Sequence, residues 1–383
     1  MKAFQFSKEQ IVAVSVALFA EVLVNAFARQ AGSAGRNGWG ADDTLGEGGL
    51  ELDDQERAAC LARVERFFGA PAALTEAAPG TLGEVADLIG ARINSRLEAF
   101  SFAAAGGRGR EFEHPADQIF GDGAALANLL YGRRRIVSLV APHSLIGFSL
   151  SILAPNLLGL PAIDGRGRSP DELQSALTFG DAVVATPSLW RYLLAQGVKA
   201  PDNTMAVTFG EALSPELSAE IRKAGYGAQR EIYGSTESGL VGWRDTPSDP
   251  FALFEFWRRD GEGLVRIAPS GEASSVAPMD FMTWEGERRF RLAGRRDGAV
   301  QIGGVNAFPA EIAARIREHP AVADCKVYLS RHPGGMDRLF ATVMLASGAV
   351  NESVARSIDT WCRATLRPHE RPRLYKYESP KTK

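Results

Sequence analysis

Close to its start the chain carries one long apolar run. Residues 11–28 read IVAVSVALFAEVLVNAFA, interrupted by Glu21 and Asn25. Ser7-Lys8-Glu9-Gln10 just ahead has the form of a capping box, which predicts a helix opening there. A membrane span needs about 20 mostly apolar residues. The carboxylate inside the run, and the lack of a small-residue cleavage site after a clean apolar core, favour a buried or interface helix instead. This helix is a candidate surface for a homodimer. Residues 29–50 are rich in Gly, Ala, Asp and Asn and read as a long loop. Leu52, Ala58, Leu61, Val64, Phe67 and Phe68 then mark an amphipathic helix near 54–69.

From residue 81 the pattern alternates. Thr81–Leu97 has helical spacing, as do 116–132, 170–178, 188–196 and 214–225. Short β-branched or apolar runs fall among them: Arg135–Val140, Asp181–Thr186, Met205–Phe209 and Arg230–Tyr233. Strands alternating with helices predict an α/β fold with mainly parallel sheets flanked by helices. Ligands in such sheets sit at the carboxyl ends of strands. After Asp297 the order becomes β-turn-β, helix 309–318, strands Asp324–Leu329 and Leu339–Leu345, and helix 352–366, a small α+β unit. The expected division is a reduced helical region over 1–80, a core over 81–297 and the small domain over 298–383.

Composition narrows the partners. At 383 residues, with 45% apolar and 23% charged side chains, the chain is long enough for two or three packed units of ordinary globular type. A net charge of −3 gives no electrostatic footprint for nucleic acid or an anionic membrane. Cys60, Cys325 and Cys362 are odd in number and far apart, so neither a disulfide framework nor a metal spacing is read, and a cytoplasmic location is expected. Gly48-Gly49-Leu50-Glu51-Leu52-Asp53-Asp54 has the shape of a carrier-protein attachment site. Asp54 stands where the serine would be, and without a hydroxyl nothing can be attached there.

The densest chemistry lies in Glu231-Ile232-Tyr233-Gly234-Ser235-Thr236-Glu237-Ser238-Gly239-Leu240. Gly234 allows backbone to approach a ligand. Ser235, Thr236 and Ser238 supply short hydroxyls, and Glu237 is a candidate for a divalent cation. Downstream come Gly294-Arg295-Arg296-Asp297, then Val300-Gln301-Ile302-Gly303-Gly304-Val305-Asn306 and Pro309-Ala310-Glu311-Ile312. The first stretch resembles the Tyr-Gly-Ser/Thr-Thr-Glu motif of the adenylate-forming superfamily, and the second its Gly-Arg-x-Asp and Ile-Lys-x-x-Gly segments. The resemblance covers about residues 95–383. Within the family the chain looks most like short aryl-acid activating enzymes of bacterial secondary metabolism.

The resemblance implies ATP-dependent activation of an aryl or acyl acid, followed by transfer to CoA or to the phosphopantetheine thiol of a carrier protein. It implies that Tyr233 stacks on adenine, Thr236 contacts the α-phosphate and Glu237 holds Mg²⁺. Asp280 would take the ribose hydroxyls, Arg295 would reach ribose or phosphate, and Asp297 would be the hinge. Gly234 and Ser235 belong to the same nucleotide site. Gly210-Glu211-Ala212-Leu213 matches the turn beneath adenine. Pro142-His143-Ser144-Leu145-Ile146-Gly147-Phe148 resembles the family's His-x-x-Gly-Phe segment, where the histidine gates the acyl pocket. Phe148, Trp190, Phe209 and Trp243, with Gly239, are candidates to line that pocket, or are simply core.

The family pattern also breaks. Its phosphate loop, rich in hydroxyls and ending in lysine, aligns with 102–110, where Gly106, Gly107 and Arg110 survive and every hydroxyl is gone. Each lost hydrogen bond to phosphate would cost roughly 1.5–3 kcal/mol. Arg110 is no simple substitute for lysine. Gln301 replaces the family's lysine, and the C-terminal lysine that drives adenylation has no counterpart except Lys383. Three readings therefore stay open: an adenylating ligase; an enzyme on the same scaffold acting on a pre-activated thioester; and a non-catalytic binding partner in a biosynthetic complex.

Overall fold

The computed structural model describes residues 4–29, 38–104, 110–302, 305–330, 337–347 and 351–379. The N-terminal part is helical: α1 (Lys8–Phe27), α2 (Asp54–Phe67) and α3 (Leu82–Ser95). Ser7 and Gln10 make the expected reciprocal cap at α1. Asp53 and Glu56 do the same at α2, so the carboxylate at 53 is a helix cap. Helix α1 is long and apolar enough to cross a membrane by length and composition. In the fold it packs on α2 and α3, burying Ile11, Val14, Leu18, Phe19 and Leu23.

A hairpin of β1 (Ala99–Ala103) and β2 (Glu111–Pro115) follows, then α4 (Ala116–Leu129) and β3 (Arg135–Ser138). Helix α5 (Leu145–Phe148) runs through a π-helical turn at Ser149–Leu153 into α6 (Ala154–Leu158). Then come β4 (Ala162–Asp164), α7 (Pro170–Ala176), β5 (Asp181–Val184), α8 (Pro187–Ala195), β6 (Met205–Phe209) and α9 (Pro215–Lys223). Helices α7, α8 and α9 open alike. Ser169, Thr186 and Ser214 each accept the N–H three residues on, and a proline fills the first helical position, where no N–H is needed.

The sheet continues with β7 (Ala228–Ser235), β8 (Gly239–Arg244) and β9 (Phe251–Leu253). A separate three-stranded sheet holds β10 (Trp257–Asp260), β11 (Gly263–Ile267) and β12 (Ala273–Val276). Strands β13 (Asp280–Trp284) and β14 (Arg289–Arg295) complete a nine-stranded sheet ordered β13-β14-β9-β8-β7-β6-β5-β3-β4. The fold is α/β, but the sheet is parallel only across β4-β3-β5-β6-β7. From β7 to β13 it is antiparallel. Strands β8 to β13 lie outside the helix-strand alternation, and β10 and β12 carry charged or polar residues at exposed positions, so the pattern did not reveal them.

Both faces of the parallel half are covered, as such sheets require. Ile136, Ala182, Val184, Met205 and Val207 join the larger core, while Val137, Val183 and Ala206 join a second core with α8 and α9. Beyond the sheet lie β15 (Val300–Ile302), β16 (Val305–Ala307) and α10 (Pro309–Arg317). They are followed by β17 (Val322–Ser330), β18 (Arg338–Leu345), α11 (Glu352–Thr365) and β19 (Leu374–Glu378). This region has its own core, including Ile312, Ile316, Leu339, Val343 and Ile358. Strand β19, absent from the sequence reading, adds to β18 in parallel.

Candidate functional site

The site forms where strand direction reverses. β7 and β8 pair antiparallel, and Thr236-Glu237-Ser238 is the short connection between them. Tyr233, Gly234 and Ser235 therefore lie on the strand itself. The register shifts between Tyr233 and Gly234, a bulge of the kind that re-aims side chains. Gly234 has a steric reason: a Cβ there would come within 2.5 Å of the Gly239 carbonyl oxygen. Ser235 Oγ lies 3.0 Å from Ser238 Oγ and accepts the Ser238 N–H at 3.2 Å.

Two structural supports hold this connection from below. His114 Nε2, at the end of β2, donates to the Thr236 carbonyl oxygen at 2.7 Å. Burial pushes the His114 pKa down, so the ring is neutral near pH 7. Asp122 on α4 and Arg266 on β11 form a buried ion pair at 2.5 Å, with side chains 0% and 3% exposed. Asp122 Oδ2 also accepts the Leu240 N–H at 3.2 Å. Gly239, at φ +75°, passes so close that a Cβ would sit 2.8 Å from Arg266 Nη1 and 2.9 Å from Asp122 Oδ2. Neither His114 nor this pair emerged from the motif. The signals available were an acid between two glycines on an apolar helix, and an arginine at an inward position of β11 beside buried Leu264.

Across the sheet the structure brings Tyr233 and Asp280 together. Tyr233 Oη donates to Asp280 Oδ2 at 2.6 Å. The tyrosine ring packs on Phe251 and Phe290, with centroids 5.6 and 5.7 Å away. Asp280 faces Arg295 in the β13–β14 register. Burial raises the Asp280 pKa; the Tyr233 hydrogen bond and Arg295 oppose the rise, and Asp297 and Glu237 add to it. Arg295 is engaged in a two-pronged pair with Asp297, at 2.8 and 2.6 Å. That pairing holds the Asp297 carboxyl below the usual range. Glu237 is half-buried and within electrostatic range of Tyr233, Asp280, Arg295 and His114.

The turn after β6 borders the same region. Gly210 adopts φ +87°, and a Cβ there would meet nothing nearer than Thr186 Cγ2 at 3.9 Å. Its glycine is explained by backbone conformation, with open space beside it. Glu211 accepts from Ser188 Oγ at 2.8 and 2.9 Å. Buried Glu231 ties this turn to β7, accepting the Leu213 N–H at 3.1 Å while Arg244 bonds its other oxygen at 2.6 Å.

Other candidate residues lie apart. Phe148 is fully buried in a cluster with Phe6, Phe67, Phe100 and Phe102, at ring distances of 5.1–6.0 Å. Trp190 is fully buried on the opposite face of the sheet, edge-on to Tyr226 at 4.7 Å. The structure does not bring these two rings together. Phe209 is buried at the end of β6, and half-buried Trp243 lies under the Arg230 guanidinium. His143 follows β3 and meets Glu21 of α1 at 3.8 Å. Gly106, Gly107 and Lys383 fall outside the described residues. Arg110, at the mouth of the β1–β2 hairpin, is exposed and lies over the Phe112 ring at 4.8 Å.

Among the described residues no group of three or more His, Cys, Asp or Glu side chains is arranged to hold a metal ion. A lone carboxylate such as Glu237 would need phosphate oxygens and water to complete the coordination of a Mg²⁺ ion.

Sheet, reversal point and the Tyr233–Asp280 pair together define the scaffold of an adenylate-forming enzyme. No family model matches the chain. It is 31% identical over 339 residues to a 4-coumarate–CoA ligase of Halorhodospira halophila, covering 87% of this chain and 86% of that one. It is 28% identical to a 4-coumarate–CoA ligase of Cereibacter sphaeroides, covering 89% and 82%. An amide bond synthetase from Marinactinospora thermotolerans shares the fold, with TM-score 0.60, 15% identity and coverage of 96% and 90%. The chain belongs to the adenylate-forming superfamily, with relatives among its CoA ligases.

Proposed function

We propose that this protein activates an aryl acid with ATP as its acyl-adenylate and transfers the acyl group to the thiol of CoA. The observation that carries the reading is the Tyr233–Asp280 hydrogen bond at 2.6 Å, next to the Thr236–Glu237 connection. It places an aromatic ring, a carboxylate suited to a vicinal diol and a hydroxyl-rich turn side by side. Tyr233 offers a ring edge and face to adenine. Asp280 accepts from ribose hydroxyls through the oxygen not taken by Tyr233. Thr236 donates to the α-phosphate, and Glu237 would hold Mg²⁺ together with the phosphates. The cation would offset the charge of two approaching anions, the main electrostatic demand of this reaction. Arg295 holds Asp297, the residue in the hinge position, through Nε and Nη2, and its remaining N–H groups are available to ribose or phosphate.

The names of the relatives favour a hydroxylated cinnamic acid such as 4-coumarate as substrate. A carrier-protein thiol as acceptor, a cytoplasmic setting in secondary metabolism and a homodimer built on α1 belong to the same reading. So does a division at 81–297 and 298–383. The test is pyrophosphate release from ATP and Mg²⁺ with a panel of aryl acids, followed by thioester formation with CoA. A second reading, action on a pre-activated thioester, is favoured by the loss of every hydroxyl from the phosphate loop. Acyl transfer from a thioester without ATP, and no pyrophosphate with any acid, would select it.

A further inference from the structure

His114 holds the one buried position on β2 and is 6% exposed. An imidazole placed where an apolar side chain could sit loses its water and needs a hydrogen bond in return. The bond it makes leaves its own hairpin: Nε2 donates to the Thr236 carbonyl oxygen at 2.7 Å, across 122 residues of sequence. Further along the same stretch, Asp122 of α4 accepts the Leu240 N–H at 3.2 Å. The Thr236–Leu240 backbone is thus fastened near both ends to β2 and α4, neither of which belongs to the nine-stranded sheet. A trans peptide is planar, with its C=O and N–H on opposite sides. Holding the Thr236 carbonyl therefore fixes the whole Thr236–Glu237 peptide plane and turns the Glu237 N–H away from His114.

We propose that His114 is a positioning residue for acid activation, an inference that rests on the ligase reading: its hydrogen bond fixes the peptide plane from which the Thr236 hydroxyl, the Glu237 N–H and the Glu237 carboxylate reach the nucleotide. It acts through Thr236 and not by contact with ATP or acid. Joining a carboxylate to the α-phosphate brings two anions together, and donors fixed in advance stabilise the developing charge. A misplacement of about 1 Å can cost roughly a hundredfold in rate. Ser235 and Ser238 close the connection on itself through their hydroxyls and the Ser238 N–H. The turn therefore keeps its local shape without His114 and loses its aim. The Asp122 contact secures only the Leu240 end. The His114 ring also packs beside Phe102, with centroids 6.2 Å apart, so packing and hydrogen bonding can be separated by substitution.

Three variants of the full-length protein test this by pyrophosphate release from ATP and Mg²⁺ with the best aryl acid of the panel. His114→Leu keeps the bulk and removes the donor. His114→Asn carries an amide too short to stand in for Nε2, whereas the amide nitrogen of His114→Gln can take its place. The Leu and Asn variants are expected to lose about tenfold in kcat, the worth of one hydrogen bond felt in the transition state. The Mg²⁺ concentration for half-maximal rate should rise several-fold, with the KM for the acid unchanged. His114→Gln should return kcat to within about threefold of wild type. If His114→Leu does not fold, the contrast of Asn with Gln carries the same comparison. Folded Leu and Asn variants with wild-type kcat and Mg²⁺ dependence, however much their denaturation midpoints fall, overturn the inference and leave the ligase reading standing. A Gln variant as slow as Asn also overturns it. Wild-type protein that releases no pyrophosphate with any acid overturns the ligase reading and the inference with it.

Discussion

Tyr233 Oη donates to Asp280 Oδ2 at 2.6 Å, joining the end of β7 to the first residue of β13 across a distance of 47 residues in sequence. The bond orients the tyrosine ring and the carboxylate by one contact. Tyr233→Phe keeps the ring packed on Phe251 and Phe290 and removes only the hydroxyl. The expected stability loss is about 1 kcal/mol. The KM for ATP should rise several-fold while kcat changes less, because Asp280 loses its fixed orientation. Steady-state kinetics with varied ATP check this; an unchanged KM would show that the bond plays no part in nucleotide binding.

The Asp122–Arg266 pair has no access to water on either side. Asp122→Asn leaves a buried guanidinium without a counter-charge, and breaking such a pair costs about 3–5 kcal/mol. The double variant Asp122→Leu/Arg266→Met should recover most of that loss. Urea unfolding of the three proteins decides it. A single-variant loss below about 1 kcal/mol would mean the pair is not what fixes the Gly239–Leu240 backbone.

Glu237 is half-buried and sits on a short connection rather than in a core. Glu237→Gln should therefore move stability by no more than about 0.5 kcal/mol. Mg²⁺-dependent pyrophosphate release should disappear. Full activity in this variant would remove Glu237 from the proposed mechanism.

Acid should weaken the fold through its buried histidines. The pKa of His114 is pushed down by burial, and that of His143 is pushed down to about 3. Below the ordinary histidine value near 6.5 the unfolded chain takes up protons that the native rings refuse. Their contribution is thus complete above that value and is lost as pH falls, by up to about 1.4 kcal/mol per pH unit for each ring. Glu21, whose pKa burial raises, works in the opposite sense. Denaturant midpoints from pH 8 to 4 should fall less steeply in His114→Gln than in wild type, and parallel curves would refute the assignment.

Sequence periodicity located four strands of the parallel half, but not the edge strand β4, because buried strands such as Asp181–Val184 and Met205–Phe209 are mostly apolar and alternate with capped helices. Strands β8, β9 and β13 of the antiparallel half, and the separate sheet whose β10 carries Arg258 and Arg259, fall outside that alternation and were not located. Tyr233, Thr236, Glu237 and Asp280 were legible from local composition. His114, Asp122 and Arg266 were not, since their contacts span 118 to 148 residues and leave only a misplaced charge as a trace. Phe148 and Trp190 show the converse: an aromatic near a motif carries no label separating pocket wall from core.

Helices α1 and α2 stand outside the nine-stranded sheet, yet they carry Glu21 and Arg63. Arg63 faces Glu21 and also Glu111 of β2, and bonds the Ser101 carbonyl oxygen of β1, so the N-terminal helices are fastened to the neighbouring hairpin by charge as well as by apolar contact.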